Sequence, residues 1–270
     1  MEDRNRLLHE NFIKSVLSED LPQTDLSTRL QDTDLTKFEL VDLFETQAMS
    51  RLLDLRSRSL KARGESFYTI GSSGHEGNAI LGKVSRPSDM AFMHYRSGAF
   101  FIQRSKRVNG ETPLYDLLLS FTASSWDPIS GGRHKVLGSK SLNMPPQTST
   151  IASHLPKAMG AACSIPLRHR LDISGPLPGD AVAICNFGDA SANHSTAQGA
   201  INTSAWCAYQ HIPMPLVWVC EDNGIGISTR TPPGWISATF SNKAGLKYFF
   251  CDGLNLLDTY LTTQAAFAYA

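Results

Sequence analysis

Early in the chain, apolar positions recur at steps of three and four. Phe38, Val41, Phe44, Ala48, Leu52 and Leu55 form one stripe, the spacing of a single face of an amphipathic helix. Thr36-Lys37-Phe38-Glu39 precedes it as a capping box, in which Thr36 caps the first turn and Glu39 reaches back. Gly64 supplies the stop. The spacing predicts a helix over 36–63 on the outside of the fold, its stripe turned inward. Residues 1–34 carry no comparable pattern and read as a looser arm.

Beyond Gly64 the pattern changes to short apolar segments separated by Gly, Pro and Ser. Ala181–Cys185 and Leu216–Cys220 are continuous apolar runs rich in β-branched residues, as expected of strands buried on both faces of a parallel sheet. Between them, Asn193–Tyr209 is free of proline and long enough for a crossover helix, giving a βαβ unit. Further helices are predicted over Pro113–Phe121 and Pro156–Ile165, each opening on a proline. Residues 122–150, with Gly131-Gly132 and Pro145-Pro146, read as one long loop of the kind that is functional or disordered. No internal repeat is present. The fold class is α/β, mostly parallel sheet with helices on both faces.

Composition narrows the partners. Among 270 residues, 25 Lys+Arg balance 25 Asp+Glu, so the formal net charge is zero. That excludes broad electrostatic capture of nucleic acid or an anionic membrane, leaving local patches open. Charge is uneven: the first 63 residues hold 12 acidic and 10 basic side chains, most simply a solvated face. No apolar run reaches the roughly 18 residues of a membrane helix, and the charged start Met1–Arg6 is no secretory signal. The five cysteines are odd in number and form no Cys-x-x-Cys pair. A reducing, cytoplasmic location without a disulfide framework is the expectation.

The strand ends carry the candidate chemistry, because ligands of parallel sheets bind at their carboxyl edge. The first strand runs out through Asn186-Phe187-Gly188-Asp189-Ala190-Ser191 and the second through Glu221-Asp222-Asn223-Gly224-Ile225-Gly226. Asp189 and Asn223 offer hard oxygen donors that suit Mg²⁺ or Ca²⁺. Gly188 permits a tight turn, Ser191 is placed to cap the following helix, and amides at that helix start favour phosphate oxygens. Each of the two segments alone is also an ordinary turn. Their juxtaposition, with Asn223 lying 34 positions after Asp189, is more specific. Two patterns are set aside: Gly224-x-Gly226 lacks the third glycine of a dinucleotide fingerprint, and no nucleophile elbow surrounds His194-Ser195.

The Asp189–Asn223 pair resembles the thiamine diphosphate motif, which runs from Gly-Asp-Gly to a terminal Asn. More narrowly, the chain resembles the alpha subunit of the 2-oxoacid dehydrogenase first component from about residue 40 to 260. His94-Tyr95-Arg96-Ser97-Gly98 is similar to that family's Tyr-Arg-x-x-Gly segment, its Gly one position early. Ser149–Pro156, followed by Gly160-Ala161-Ala162, resembles the segment beside the aminopyrimidine, and Gly74-His75-Glu76-Gly77 matches a family turn.

The resemblance implies a thiamine diphosphate-binding domain over 35–270, incomplete at its C-terminus. It implies thiamine diphosphate and Mg²⁺ as cofactors, with Asp189, Asn223 and the Ile225 carbonyl as metal ligands. Tyr95 and Arg96 would hold the diphosphate, Ser149 and Ile151 the pyrimidine end, with Gly188, Ala190 and Ser191 in the same turn. Taken singly, Tyr95 also reads as a core aromatic and Arg96 as a surface ion pair. His75 and His154 are weaker candidates for touching substrate or cofactor, against structural roles. The implied activity is oxidative decarboxylation of a 2-oxoacid with acyl transfer to lipoamide. Its implied partners are a beta subunit or fused beta domain and a lipoyl-bearing acyltransferase, in a homo- or hetero-oligomer, and the chain alone would be inactive. The motif's third Gly is Ala190 here, Asp222 stands where Asn is usual, and the chain ends before the family's histidine-bearing phosphate loop. The alternatives are an acetoin-type dehydrogenase and a truncated, non-catalytic assembly unit.

Overall fold

Thr36 and Glu39 begin the most clearly written helix of the chain as the sequence predicts. In the computed structural model, which describes residues 4–21, 27–72 and 74–270, the Glu39 amide donates to Thr36 Oγ1 (3.2 Å) and the Thr36 amide to Glu39 Oε2 (2.9 Å). An earlier helix, α1, spans Arg4–Leu17, so the segment expected to be a looser arm holds regular structure. Residues 1–3 and 22–26 of that arm lie outside the described residues. Helix α2 spans Lys37–Ala62. At its end the Gly64 amide bonds Lys61 O (3.0 Å) and the Glu65 amide bonds Leu60 O (2.9 Å). This is a Schellman motif, and it needs the positive φ of +76° that Gly64 adopts.

The facing of α2 is opposite to the expectation. Phe38 is 87% exposed and Phe44 60%, and Val41 and Leu52 are exposed with them. The buried face is Leu43, Thr46, Ser50, Leu53, Asp54, Ser57 and Leu60, which keeps the same helical spacing on a largely polar set. Two of these polar groups find partners inside: Thr46 Oγ1 donates to Gln103 Oε1 (2.5 Å), and Asp54 Oδ2 accepts from Ser72 N (2.7 Å) and Oγ (2.9 Å). Hydropathy periodicity alone cannot see that satisfaction.

Helix α3 (Ala79–Val84) leads into strand β1 (Ala91–Phe92), and helices α4 (Gly98–Ser105) and α5 (Pro113–Phe121) follow. Gly82 lets α3 and α4 touch, because a Cβ there would stand 2.8 Å from Phe100 O. The long segment 122–150 contains a short antiparallel hairpin, β2 (Leu137–Ser139) with β3 (Met144–Gln147). Helix α6 covers Leu155–Arg170, running past the expected end through Pro166. Strand β4 (Ala183–Gly188), helix α7 (Ser195–Tyr209) and strand β5 (Leu216–Glu221) make the predicted βαβ unit. Helices α8 (Trp235–Phe240) and α9 (Leu256–Tyr269) complete the order.

The parallel sheet has the order β1-β4-β5, with Ala91 opposite Ile184 and Ile184 opposite Val217. Its side chains alternate between two cores, as the period of two requires. Ala91, Met93 and Ile184 pack with Leu53, Phe100, Phe101 and Leu117 on one face. Phe92, Cys185 and Phe187 pack with Leu155, Ala197, Ile201 and Phe240 on the other. The α/β class with helices on both faces therefore holds. All five cysteines are free, and no helix among the described residues is long and apolar enough to cross a membrane.

The facing of α2 sets two substitutions apart. Leu43→Ala removes a fully buried side chain and should cost about 2–5 kcal/mol in urea denaturation. Phe44→Ala should stay within about 0.5 kcal/mol. The reverse order would contradict this packing.

Candidate functional site

Parallel pairing brings the ends of β1, β4 and β5 to one edge. Gly188 is paired with Glu221, so the segments that follow the two strands leave side by side. Asp189 is buried there: its Oδ1 accepts its neighbour Ala190's amide (2.7 Å) and its Oδ2 accepts Gly224's amide (2.8 Å). Asn223 folds its Oδ1 onto the Ile225 amide (3.1 Å). The two loops touch again at Gly226, where a Cβ would meet the Ala190 methyl at 2.8 Å. From the other side comes the turn at Gly74 (φ +83°), where a Cβ would stand 2.5 Å from Asn223 Nδ2. Asp189, Asn223, Gly188, Ala190 and the backbone of Ile225 are thus gathered into one place.

The turn after β4 is tighter than the sequence suggested. Asp189–Asn193 forms a 3₁₀ turn, and α7 begins only at Ser195, capped by His194 Nδ1 accepting the Thr196 amide (3.2 Å). Ser191 is not the cap; it lies buried within the turn, its carbonyl accepting His194 N. The first amide of the turn is already committed to Asp189. The helix start expected at Ser191 therefore lies four residues later, at Ser195.

Beneath these loops lies a buried polar hub that the sequence did not single out. Asn186 is fully buried. Its Oδ1 accepts the His94 amide (2.5 Å), and its Nδ2 donates to Ser97 Oγ (2.7 Å) and Glu221 Oε1 (2.8 Å). His154 Nε2 donates to the Asn186 carbonyl (2.7 Å). His75 stacks on His94 with centroids 4.7 Å apart, and its Nδ1 stands 3.4 Å from Glu221 Oε2. Both candidate histidines thus belong to this cluster, together with His94, Asn186 and Glu221. The only sequence signal for the last three was their position at strand ends. Burial, aided by the neighbouring His75 and His154, pushes the His94 pKa well down, and burial also lowers that of His154. Neutral His154 with a proton on Nε2 leaves Nδ1 as a bare acceptor, and that atom is buried without a partner.

Tyr95 and Arg96 continue from this hub. Tyr95 is buried, with the Arg96 guanidinium 5.3 Å from its ring centroid. Arg96 Nη1 donates to Gly71 O (2.6 Å), so among the described residues its guanidinium holds the segment before the Gly74 turn and not an acidic partner. Ser149 and Ile151 stand apart from the hub. Ser149 Oγ pairs with Tyr68 Oη (3.2 Å), and Ile151 is exposed. Among the described residues, no hydrogen bond joins either to Asp189 or Arg96. Asp222 is exposed beside the pair, its pKa raised by partial burial and by Asp189. Among the described residues no group of three or more His, Cys, Asp or Glu is arranged around a metal, so any metal here would rest on the carboxylate–amide pair.

An open parallel sheet with acidic and amide oxygens gathered at its carboxyl edge places the chain among α/β proteins that bind ligands at strand ends. The dehydrogenase E1 component family model matches residues 44–270, and the chain belongs to that family. Curated relatives agree. The chain is 23% identical over 248 residues to the mitochondrial 2-oxoisovalerate dehydrogenase subunit alpha of Caenorhabditis elegans, covering 90% of this chain and 53% of that protein. It is 26% identical over 247 residues to 2-oxoisovalerate dehydrogenase subunit alpha of Bacillus subtilis, covering 89% and 69%. To the corresponding mitochondrial subunit of Dictyostelium discoideum it is 22% identical over 243 residues, covering 87% and 50%. The chain thus spans about half to two thirds of the length of these relatives.

The depressed histidines set the pH response. Their folded pKa lies below the usual 6.5, so below that value the unfolded chain binds more protons and stability falls. Urea denaturation should show stability flat between about pH 7 and about pH 8 and declining below about pH 6.5, by up to about 1.4 kcal/mol per pH unit per histidine. His94→Gln should flatten part of that slope; an unchanged slope would contradict the assignment.

Proposed function

We propose that this chain is the diphosphate- and Mg²⁺-binding part of a 2-oxoacid dehydrogenase first component of the alpha type. The observation that carries the reading is the Asp189–Asn223 juxtaposition, held by the 2.8 Å bond from the Gly224 amide to Asp189 Oδ2. The donor set fits the ion. A carboxylate and an amide are hard oxygen ligands, and each Asp189 oxygen accepts only one amide, leaving a lone pair. Asp189 and Asn223 would hold Mg²⁺ with the Ile225 carbonyl. Arg96, with most of its five donors uncommitted, would grip the diphosphate beside Tyr95. When bound, thiamine diphosphate supplies the electron sink for decarboxylation of a 2-oxoacid.

The chain's own residues then have definite tasks. Asp189 and Asn223 fix the charge at the strand ends, while Arg96 and Tyr95 orient the anion from β1. Asn186 sets the distance between those two groups through His94 and Glu221. The neutral His94 and His154 pack the floor without adding positive charge. Ser149 and Ile151 would lie at the pyrimidine end, outside the hydrogen-bonded hub. The exposed apolar face of α2, with Phe38, Val41 and Phe44, supports a role beside a beta subunit or beta domain. A lipoyl-bearing acyltransferase would accept the acyl group.

Calorimetry with the chain and a beta partner tests the reading. Thiamine diphosphate should bind only with Mg²⁺ present, and Asp189→Asn should weaken it at least about tenfold. Absence of Mg²⁺-dependent binding by the wild-type pair would sink the proposal. Gly74→Ala offers a subtler check, because its Cβ would be driven into the Asn223 amide. It should lower the same affinity more than Gly110→Ala, a positive-φ glycine with open space around it.

A further inference from the structure

A second cluster of charge lies on the far side of Tyr95 and Arg96. A cavity of about 30 Å³ opens between α2, α5 and the start of the β2–β3 hairpin. Its polar lining includes Ser50, Asp54, Tyr95, Arg96 and Lys135, and Leu117 and Phe121 close it with hydrocarbon. Two water-sized spheres fill that volume. It has room for a monatomic ion and none for a 2-oxoacid or a phosphate.

The charges around it do not balance. Lys135 and Arg96 contribute two positive charges and Asp54 one negative. Asp54 is already engaged by the Ser72 amide and hydroxyl, with Arg51 at 3.8 Å. Lys135 Nζ makes one hydrogen bond, to Ile70 O (2.9 Å), and sits 4.0 Å from the Phe121 ring centroid. An ammonium has three donors, so among the described residues two are left without a hydrogen-bond partner in a half-apolar space. Burial pushes the Lys135 pKa down to about 8, with Asp54 opposing the fall and Arg96 adding to it.

The backbone adds an independent sign. Lys135 adopts φ +56°, a left-handed conformation that a long side chain rarely takes without compensation. Its amide is tied to Ser120 O (3.1 Å), which fixes the turn that aims the side chain inward. The long segment 122–150 thus delivers one cation to a cavity that a second cation, Arg96, borders. Asp54 offsets one of the two half-buried cations, and an anion would offset the other.

We infer that the Lys135–Arg96 cavity is a binding site for a small monovalent anion of halide size. Hydroxyls of Tyr95 and Ser50 and the free N–H donors of Lys135 suit such an ion, and the aliphatic walls strengthen the attraction. The site shares Arg96 and Tyr95 with the proposed diphosphate grip and takes Lys135 as its own cation, so the ion would bind without thiamine diphosphate or a partner.

Crystals of the full chain grown with bromide in place of chloride provide the direct test. An anomalous peak beside Lys135 Nζ is expected. In solution, the melting temperature should rise by about 2 °C or more in chloride over gluconate at equal ionic strength. Lys135→Gln should abolish both effects, and Lys135→Arg should retain the halide-dependent rise. Bromide found only at surface lysines, or a chloride effect unchanged in Lys135→Gln, would overturn the inference. If the Gln variant fails to fold, the wild-type bromide map decides alone.

Discussion

Asn186, through its side-chain amide and its backbone carbonyl, closes three strand ends and two helix starts onto each other. It takes the His94 amide from β1's continuation, gives hydrogens to Ser97 at the head of α4 and to Glu221 at the end of β5, and lends its carbonyl to His154 before α6. Parallel ladders fix strands along their length but leave their carboxyl ends free to splay. A fully buried amide with every polar group satisfied prevents that, since losing any one bond would strand a desolvated donor or acceptor. The position of every candidate ligand at this edge follows from it.

Electrostatics at the edge depend on the same hub. Asp189, Glu221 and Asp222 bring three acidic groups close together, and the nearby imidazoles do not offset them, because burial holds His94 and His154 neutral. Arg96 is spent in part on Gly71 O. The edge is therefore acidic, which is why the proposed function places a divalent cation there together with any anion. On the opposite side of Tyr95 the balance reverses, with Lys135 and Arg96 outnumbering Asp54. One Tyr-Arg pair thus stands between an acidic site and a basic cavity, inside a chain whose net charge is zero.

Much of this was readable from the residues. The capping box at Thr36, the Pro113 helix, the βαβ unit and the meeting of Asp189 with Asn223 all follow from local chemistry and from the rule for parallel sheets. What failed were features decided by tertiary partners. Ser191 looked like a cap because capping is a matter of residue type, yet the 3₁₀ turn after Asp189 displaced the helix start and left the task to His194. Asn186 and Glu221 gave no signal beyond their place at strand ends, because a buried side chain and an exposed one are the same letter. The hairpin in 122–150 is short, and its β3 contains Pro145-Pro146, which reads as a break in a strand.

The reversal of α2 has a physical logic that joins these points. Its inward face carries Thr46, Ser50, Asp54 and Ser57, and three of these reach across to Gln103, to the Lys135 cavity and to Ser72. A helix whose polar face is needed inside must present its apolar face outward. Burying side chains such as Phe38 and Phe44 is worth about 1.5–3 kcal/mol each, so their exposure is energy held in reserve for whatever covers them. Stability of such a chain would then depend on its partner's concentration. The polar interior and the bare exterior of α2 are two faces of one constraint.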